Sequence, residues 1–153
     1  MALRVLAPVA GRVVATADVP DPVFSAGLVG PGVAIDPDPE AGRSAVSPIT
    51  GTLVKLHPHA FVVAGADGQG VLVHLGIDTV QLKGEGFTLH AAEGDAVEAG
   101  QQLVTWSPSD VVTGGRSAVV PVVALDVAPD ALAPSAVEGS DVVAGDELFT
   151  VGG

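Results

Sequence analysis

Four histidines are the side chains best suited to chemistry near neutral pH in this sequence, which contains no cysteine: His57, His59, His74 and His90. A neutral imidazole can accept a phosphoryl group, and a neighbouring imidazole can donate a hydrogen bond to the incoming anion. Imidazole nitrogen is also a common ligand of Zn²⁺. A close pair of histidines therefore predicts phosphoryl transfer or metal binding, whereas isolated surface histidines predict neither.

Two of these histidines are predicted to lie on neighbouring strands of a hairpin. The apolar runs 60–64 and 71–75 are joined by the glycine-containing link 65–70, which is typical of a hairpin connection. A symmetric turn centred between residues 66 and 67 places His59 opposite His74, and Phe61 opposite Leu72. Because the Cβ atoms of opposed residues lie about 4.5–5.5 Å apart, the two imidazoles are predicted to share one patch with apolar neighbours. A register shifted by one residue would put them on opposite faces.

The rest of the chain is typical of an all-β protein, in which such a hairpin is one part of a sandwich. Short runs rich in Val, Ile, Leu and Thr recur between Gly, Pro, Asp and Ser residues, and no segment keeps a helical period. Ser107 and Pro108 predict one short helical turn over 107–113, because they supply an N-cap and a proline at the first helical position. The predicted strands cover residues 12–16, 32–35, 51–56, 60–64, 71–75, 102–106, 118–126 and 147–151.

Two internal similarities indicate a duplicated strand–turn–strand unit. Residues 7–14 resemble residues 47–54, and residues 93–103 resemble residues 138–148. Each similarity joins a glycine-bearing turn to the start of a predicted strand, where glycine permits positive φ. A general likeness among β-turns is the simpler explanation; we favour duplication of the whole unit.

The composition excludes several classes of protein. The 153 residues fit one domain, and 48% hydrophobic with 16% charged residues is not the composition of a disordered acidic chain. A net charge of −12 argues against a nucleic-acid partner, because a polyanion would be repelled. Without cysteine there is no disulfide framework and no thiol nucleophile. No apolar run approaches the roughly 20 residues of a membrane helix, and no secretory signal precedes the first strand, so we expect a cytoplasmic protein.

The stretch from His74 to Phe87 resembles the active-site signature of the glucose-family enzyme IIA of the bacterial phosphoenolpyruvate-dependent sugar phosphotransferase system. The resemblance covers nearly the whole chain. It implies an antiparallel β-sandwich, or barrel-sandwich hybrid, with a duplicated strand motif and at most short helical turns, formed as one domain by residues 1–153. The other matching residues are Pro8, Gly11, Val23, Phe24, Gly30, Gly32, Ser47, Pro48, Gly51, Thr52, His59, Ala60, Phe61, Glu93, Gly94 and Gly100.

The same resemblance implies a role for each site residue. Phospho-HPr gives its phosphoryl group to Nε2 of His74, and the group then passes to a cysteine of a sugar-specific enzyme IIB domain. His59 steadies the phosphoryl group and is needed mainly for onward donation, while Asp78 is a carboxylate that faces basic residues of the partners. From turn chemistry we infer that the carbonyl of Gly76 fixes the tautomer of His74.

The resemblance also implies that HPr and the enzyme IIB/IIC permease dock on an apolar face beside the histidines. Basic partners that meet this acidic chain would gain mainly in association rate. We expect a monomer that needs no obligatory cofactor, binds no nucleic acid and does not insert into a membrane. The sugar is not indicated, since this domain does not touch it. The expected docking residues are Val23, Phe24, Leu28, Val29, Phe61, Leu72 and Val80.

One position departs from the family pattern. The family often has a threonine shortly before the companion histidine, whereas this chain has Leu56, His57 and Pro58 there. His57 either hydrogen-bonds to His59 or points to solvent, and we favour solvent. His90 has no counterpart in the signature, and we interpret it as a surface or structural residue.

Two alternative functions stay open at the level of sequence. His57 and His59 form an H-x-H pair, and His74 and Asp78 form an H-x-x-x-D pair. Both pairs occur in zinc peptidases of related fold, although in the opposite order. The second alternative is a purely regulatory binding protein, in which His59 and His74 hold a zinc ion together with a partner.

Overall fold

The computed structural model describes residues 3–21, 30–66 and 68–152. These residues form antiparallel strands with one short α-helix and several 3-10 turns, which confirms the predicted all-β class. The helix α1 spans Pro108–Thr113, and the 3-10 turns span Thr16–Asp18, Ala41–Arg43, Thr79–Leu82 and Pro129–Ala131. The strands are β1 (Leu3–Leu6), β2 (Gly11–Val14), β3 (Gly32–Pro37), β4 (Ser44–Val46), β5 (Gly51–His57), β6 (Ala60–Ala64), β7 (Gly70–His74), β8 (Thr88–Leu89), β9 (Ala96–Val97), β10 (Gln102–Thr105), β11 (Val120–Ala124), β12 (Leu132–Pro134), β13 (Asp141–Val142) and β14 (Glu147–Val151).

The strands form one large sheet and two small ones. The large sheet has the order β13-β2-β3-β11-β7-β6-β5-β9, and the small sheets have the orders β1-β14-β12 and β4-β10-β8. They enclose a valine-rich core around Trp106, Phe61 and Phe149, each exposed by 1% or less. Buried and half-buried residues alternate along β7, as expected for a strand with one face toward the core. In the described ranges, no helix has the length and apolarity needed to span a bilayer.

Backbone hydrogen bonds confirm the duplicated motif. The amide of Leu6 donates to the carbonyl of Pro48 at 2.9 Å, and the amide of Val46 donates to the carbonyl of Pro8 at 2.8 Å, so the two copies bond to each other reciprocally. Equivalent bonds also recur inside the copies, at positions offset by the spacing of the sequence similarities. These bonds run from Gly145 to Ala7 and from Gly100 to Ser47, and likewise from Gly139 to Val13 and from Gly94 to Leu53.

The longer predicted strands are present, with small shifts at their ends. Residues 60–64 and 147–151 coincide with β6 and β14. The predicted helical turn is α1, in which the backbone amide of Asp110 donates to Oγ of Ser107 at 3.3 Å. The strands that the sequence did not predict are two to four residues long, namely β1, β4, β8, β9, β12 and β13.

The register of the β6–β7 hairpin differs from the prediction by one residue. Ala60, and not His59, pairs with His74. The physical reason lies in the connection, because the amide of Gly65 donates to the carbonyl of Gln69 at 2.8 Å and so closes the turn around a later centre than the one predicted. His59 lies outside β6, in the two-residue turn that joins β5 to β6.

Candidate active site

His74 is the last residue of β7, where the strand leaves the core. Its side chain is half-buried, and its Nδ1 lies 2.5 Å from the carbonyl oxygen of Gly76. A carbonyl can only accept a hydrogen bond, so Nδ1 carries the ring proton and Nε2 presents its lone pair. The ring nitrogen available as a nucleophile is therefore Nε2.

A tight turn after β7 brings the carbonyl of Gly76 back to His74. Gly76 has a φ of +79°, and a Cβ at this position would lie 2.7 Å from Cγ2 of Thr79, so the turn requires glycine. The buried hydroxyl of Thr79 donates to the carbonyl of Leu75 at 2.7 Å. These contacts fix the turn, and with it the acceptor that selects the tautomer of His74.

His59 reaches His74 from the turn between β5 and β6. The carbonyl of His59 accepts a hydrogen bond from the amide of Leu75 at 2.7 Å, which ties this turn to the end of β7. The ring centroids of His59 and His74 are 5.3 Å apart, with an interplanar angle of 71°. Both side chains are half-buried, so both rings reach the surface. The two imidazoles are neighbours because of a turn, and not because of a direct cross-strand pair.

His57 adds a third ring to this cluster. It is the last residue of β5 and is exposed, as we favoured from the sequence. Its ring also stacks on that of His59, with the centroids 5.7 Å apart and an interplanar angle of 25°. The exposed side chain thus covers one face of the companion histidine.

Two carboxylates influence the protonation of His74. Burial lowers the pKa of His74, and the hydrogen bond with Gly76 and the charges of Asp21 and Asp78 oppose that shift. Asp78, an exposed residue, was expected at this site. Asp21 was not singled out, because its only sequence signal is its place between Pro20 and Pro22, and no local pattern indicates that Asp21 acts on His74.

The surroundings keep both half-buried histidines neutral at pH 7. The pKa of His59 is lowered to about 4, with burial as the largest cause, followed by the neighbouring imidazoles of His74 and His57. The pKa of His74 is also lowered. A neutral His74 keeps its nucleophilic lone pair, and a neutral His59 can still donate one N–H to a phosphoryl oxygen.

The predicted docking face requires one correction. Phe61 is fully buried in the core, because the observed register pairs it with Val73 on the inward face, and it cannot contact a partner. Leu72 is half-buried and packs against a small apolar cluster that includes Val123. Val80 is 58% exposed. The other predicted docking residues, which are Val23, Phe24, Leu28 and Val29, lie outside the described residues.

The structure does not support the metal-dependent alternatives. In the ranges that the structure describes, no three His, Cys, Asp or Glu side chains are arranged to hold a metal ion. A peptidase site would need three protein ligands. The zinc predicted at His59 and His74 likewise finds no third ligand among these residues. His90 is exposed and outside the cluster, with Nε2 2.6 Å from Oγ1 of Thr105.

A solved structure and several curated proteins are similar to this chain. The structure of the glucose permease IIA from Mycoplasma capricolum superposes with a TM-score of 0.88 at 32% sequence identity, covering 98% of this chain and 96% of that one. The glucose-specific EIIA component of Oceanobacillus iheyensis is 36% identical over 123 residues, which are 79% of this chain and 73% of that protein. The glucose-specific EIIA component of Haemophilus influenzae is 35% identical over 148 residues, which are 95% of this chain and 86% of that protein.

A longer relative and a family model also match this chain. The glucose-specific EIIBCA component of Corynebacterium glutamicum is 38% identical over 123 residues, which are 79% of this chain but 18% of that longer protein. The family model described as phosphoenolpyruvate-dependent sugar phosphotransferase system, EIIA 1, matches residues 3–128. These matches support neither the peptidase nor the purely regulatory alternative. The chain belongs to the EIIA 1 family of the phosphoenolpyruvate-dependent sugar phosphotransferase system and is a phosphocarrier component of that system.

Proposed function

We propose that this phosphocarrier accepts a phosphoryl group from phospho-HPr on Nε2 of His74 and passes it to a cysteine of a sugar-specific enzyme IIB. The observation that carries the proposal is the contact between Nδ1 of His74 and the carbonyl of Gly76, which leaves the lone pair on Nε2. In the first step Nε2 forms a P–N bond while the P–N bond of the HPr phosphohistidine breaks. In the second step the thiolate of the enzyme IIB cysteine forms a P–S bond while the bond to Nε2 breaks.

His59 supports the second step. Its ring is a half-buried neighbour of His74 and is neutral at pH 7. Phosphoryl transfer needs positioning and charge stabilisation, since the transition state spreads negative charge over the phosphoryl oxygens. An N–H of His59 donated to one of these oxygens supplies that stabilisation as the phosphoryl group leaves Nε2.

The partners dock around the rim of this site. The exposed side chains of Asp78 and Val80 and the half-buried Leu72 offer a mixed acidic and apolar surface. With a net charge of −12 on the chain, basic surfaces on HPr and enzyme IIB/IIC would be steered toward it. We place this relay in the cytoplasm and treat residues 1–153 as one monomeric domain. The relatives are named glucose-specific, and we propose glucose or a related hexose as the transported sugar.

The relay can be reconstituted to test these roles. Incubation with phosphoenolpyruvate, enzyme I and HPr is expected to add one phosphoryl group that is labile in acid and stable in base, as expected for a P–N bond. His74→Gln should abolish labelling, whereas His59→Gln should accept the label but fail to pass it to an enzyme IIB domain. Peptide mapping by mass spectrometry locates the group. Full labelling of the His74→Gln variant would disprove the assignment.

A further inference from the structure

The ring of His59 contacts two other imidazoles. His57 stacks on it with the centroids 5.7 Å apart and the planes 25° from parallel. His74 meets it edge-on, with the centroids 5.3 Å apart and an interplanar angle of 71°. A ring with two ring neighbours has fewer rotamers available than a free surface histidine. The orientation of His59 is therefore set by side-chain packing, and His57 provides one of the two ring contacts.

The backbone beneath these rings is also held. His57 ends β5, and the carbonyl of His59 accepts the amide of Leu75 at 2.7 Å. Between them, Pro58 has a φ fixed by its own ring. Pro58 lies against Gly84, where an added Cβ would come within 3.2 Å of Cγ of Pro58. With the backbone fixed, the main freedom left to His59 is rotation of its side chain, and the His57 ring limits that rotation.

We propose that His57 is a positioning residue whose ring, stacked on His59, holds the His59 imidazole toward the phosphoryl group on His74. The proposal rests on the function proposed above, in which His59 contacts the transferred group. A donor that is already aimed contributes most in the transition state, because no reorientation is needed as charge develops. Loss of the stack therefore slows onward transfer but leaves acceptance from phospho-HPr unchanged.

The experiment compares His57→Ala with His57→Phe in transfer from the labelled protein to a purified enzyme IIB domain, such as that of the EIIBCA relative from Corynebacterium glutamicum. Phenylalanine keeps a flat ring for stacking but removes both ring nitrogens. We expect His57→Ala to lower kcat for donation roughly threefold to tenfold, with KM for the enzyme IIB domain unchanged. His57→Phe should recover most of that loss. His90→Ala is the matched control, since His90 contacts Thr105 and lies outside the cluster.

Three outcomes would overturn this role. One is a His57→Ala variant that donates as fast as the wild type. Another is a raised KM at unchanged kcat, which would make His57 a docking contact only. The third is a His57→Phe variant as slow as His57→Ala. His57→Ser is a second small variant if His57→Ala folds poorly, as judged by circular dichroism. Failure of the wild type to take up label would refute the proposed function instead, so the two failures are distinguishable.

Discussion

The two ring nitrogens of His74 differ because the carbonyl of Gly76 can only accept a hydrogen bond and so holds the protonated Nδ1. Burial keeps the ring neutral, while the charges of Asp21 and Asp78 act in the opposite direction on its pKa. These opposing effects on the pKa of His74 suit a phosphocarrier. The ring must be nucleophilic before it accepts a phosphoryl group, and it must tolerate that negative group afterwards. A phosphoryl group on His74 would place negative charge beside His59 and raise the pKa of His59 from its depressed value.

The depressed pKa of His59 predicts a loss of stability in mild acid. The ring takes up a proton at a pKa of about 4 in the folded protein and near 6.5 in the unfolded chain. Between these values the unfolded chain binds more protons, so the free energy of unfolding falls as the pH drops from about 6.5 toward 4. His74 acts in the same direction. After allowance for solvent screening of the half-exposed ring, we expect His59 to account for about 1 kcal/mol of this loss.

Chemical denaturation at pH 8 and at pH 5 measures this loss directly. His59→Gln has no titrating ring, so its stability should fall less than that of the wild type between the two pH values. The stability of each protein at pH 8 is its own reference, because the rings of His59 and His74, where present, are neutral there in the folded and the unfolded chain. Three other side chains influence the pKa values of these two rings: His57 acts on His59, and Asp21 and Asp78 act on His74. All three are present in both proteins. An equal fall for both proteins would show that the burial of His59 does not disfavour its protonation.

The residues of the site were predictable to different degrees. The hairpin pattern brought His59 and His74 together although its register was wrong by one residue. The pair survives that error because His59 lies in a turn, where a side chain does not follow the alternation of a strand. Phe61 lies in the strand, so the same error moved it from the predicted surface to the core. Asp21 could not be found by local pattern, since it reaches the site through the path of a loop.

At the scale of elements, the duplicated motif determines where β5, the first strand of the β5–β6 hairpin, begins. β2 and β5 are equivalent strands of the two copies, and each starts with a glycine that lies very close to a neighbouring strand. A Cβ on Gly11 would be 2.2 Å from the carbonyl oxygen of Asp36, and a Cβ on Gly51 would be 2.1 Å from that of Ala64. Such distances leave no room for a side chain. Glycine at these positions therefore allows β2 to approach β3, and β5 to approach β6, at the start of each pair.

Gly51→Ala is therefore expected to destabilise the protein by about 1–3 kcal/mol, because β5 and β6 must move apart to admit the methyl group. Gly65→Ala is the matched control directly across from Gly51, just after β6, where the nearest atom to an added Cβ, Cδ1 of Ile49, is 3.6 Å away. Its stability should stay within about 0.5 kcal/mol of the wild type. Equilibrium unfolding in urea compares the variants, and equal stabilities would contradict the close approach of β5 and β6.

The elements themselves were predictable where they are long. A run of five or more residues shows both the apolar composition and the flanking turn residues of a strand, and β6 and β14 were placed to the residue. Two-residue strands, such as β9 and β13, are too short to show alternation. The sequence marks these two strands only by the repeated glycine turns around them. The repeat predicts that a unit recurs, but it does not predict the strand with which that unit pairs.

For the whole molecule, the pairing of strands distant in sequence decides the fold. β1 pairs with β14 in register from Leu3 with Val151 onward, and β2 pairs with β13. No local pattern contains this information, because every strand has the same period of two and many partners would bury the same residues. The family resemblance predicted the sandwich. The structure adds the partners of the C-terminal strands, because β14 pairs with β1 and β13 pairs with β2.

Removal of residues 129–153 tests whether the chain is one folding unit. This segment holds β12, β13 and β14, and its Leu148 and Phe149 are fully buried in the same core as Val5. Without it β1 loses its partner strand and the core opens, so we expect the fragment 1–128 to lack a cooperative unfolding transition and to take no label from phospho-HPr. A chain that ends at Val151 keeps all of β14 and should unfold like the wild type. Because the matched family segment itself stops at residue 128, a fragment 1–128 that unfolds cooperatively at the wild-type temperature would show that the last three strands are an addition to a smaller domain.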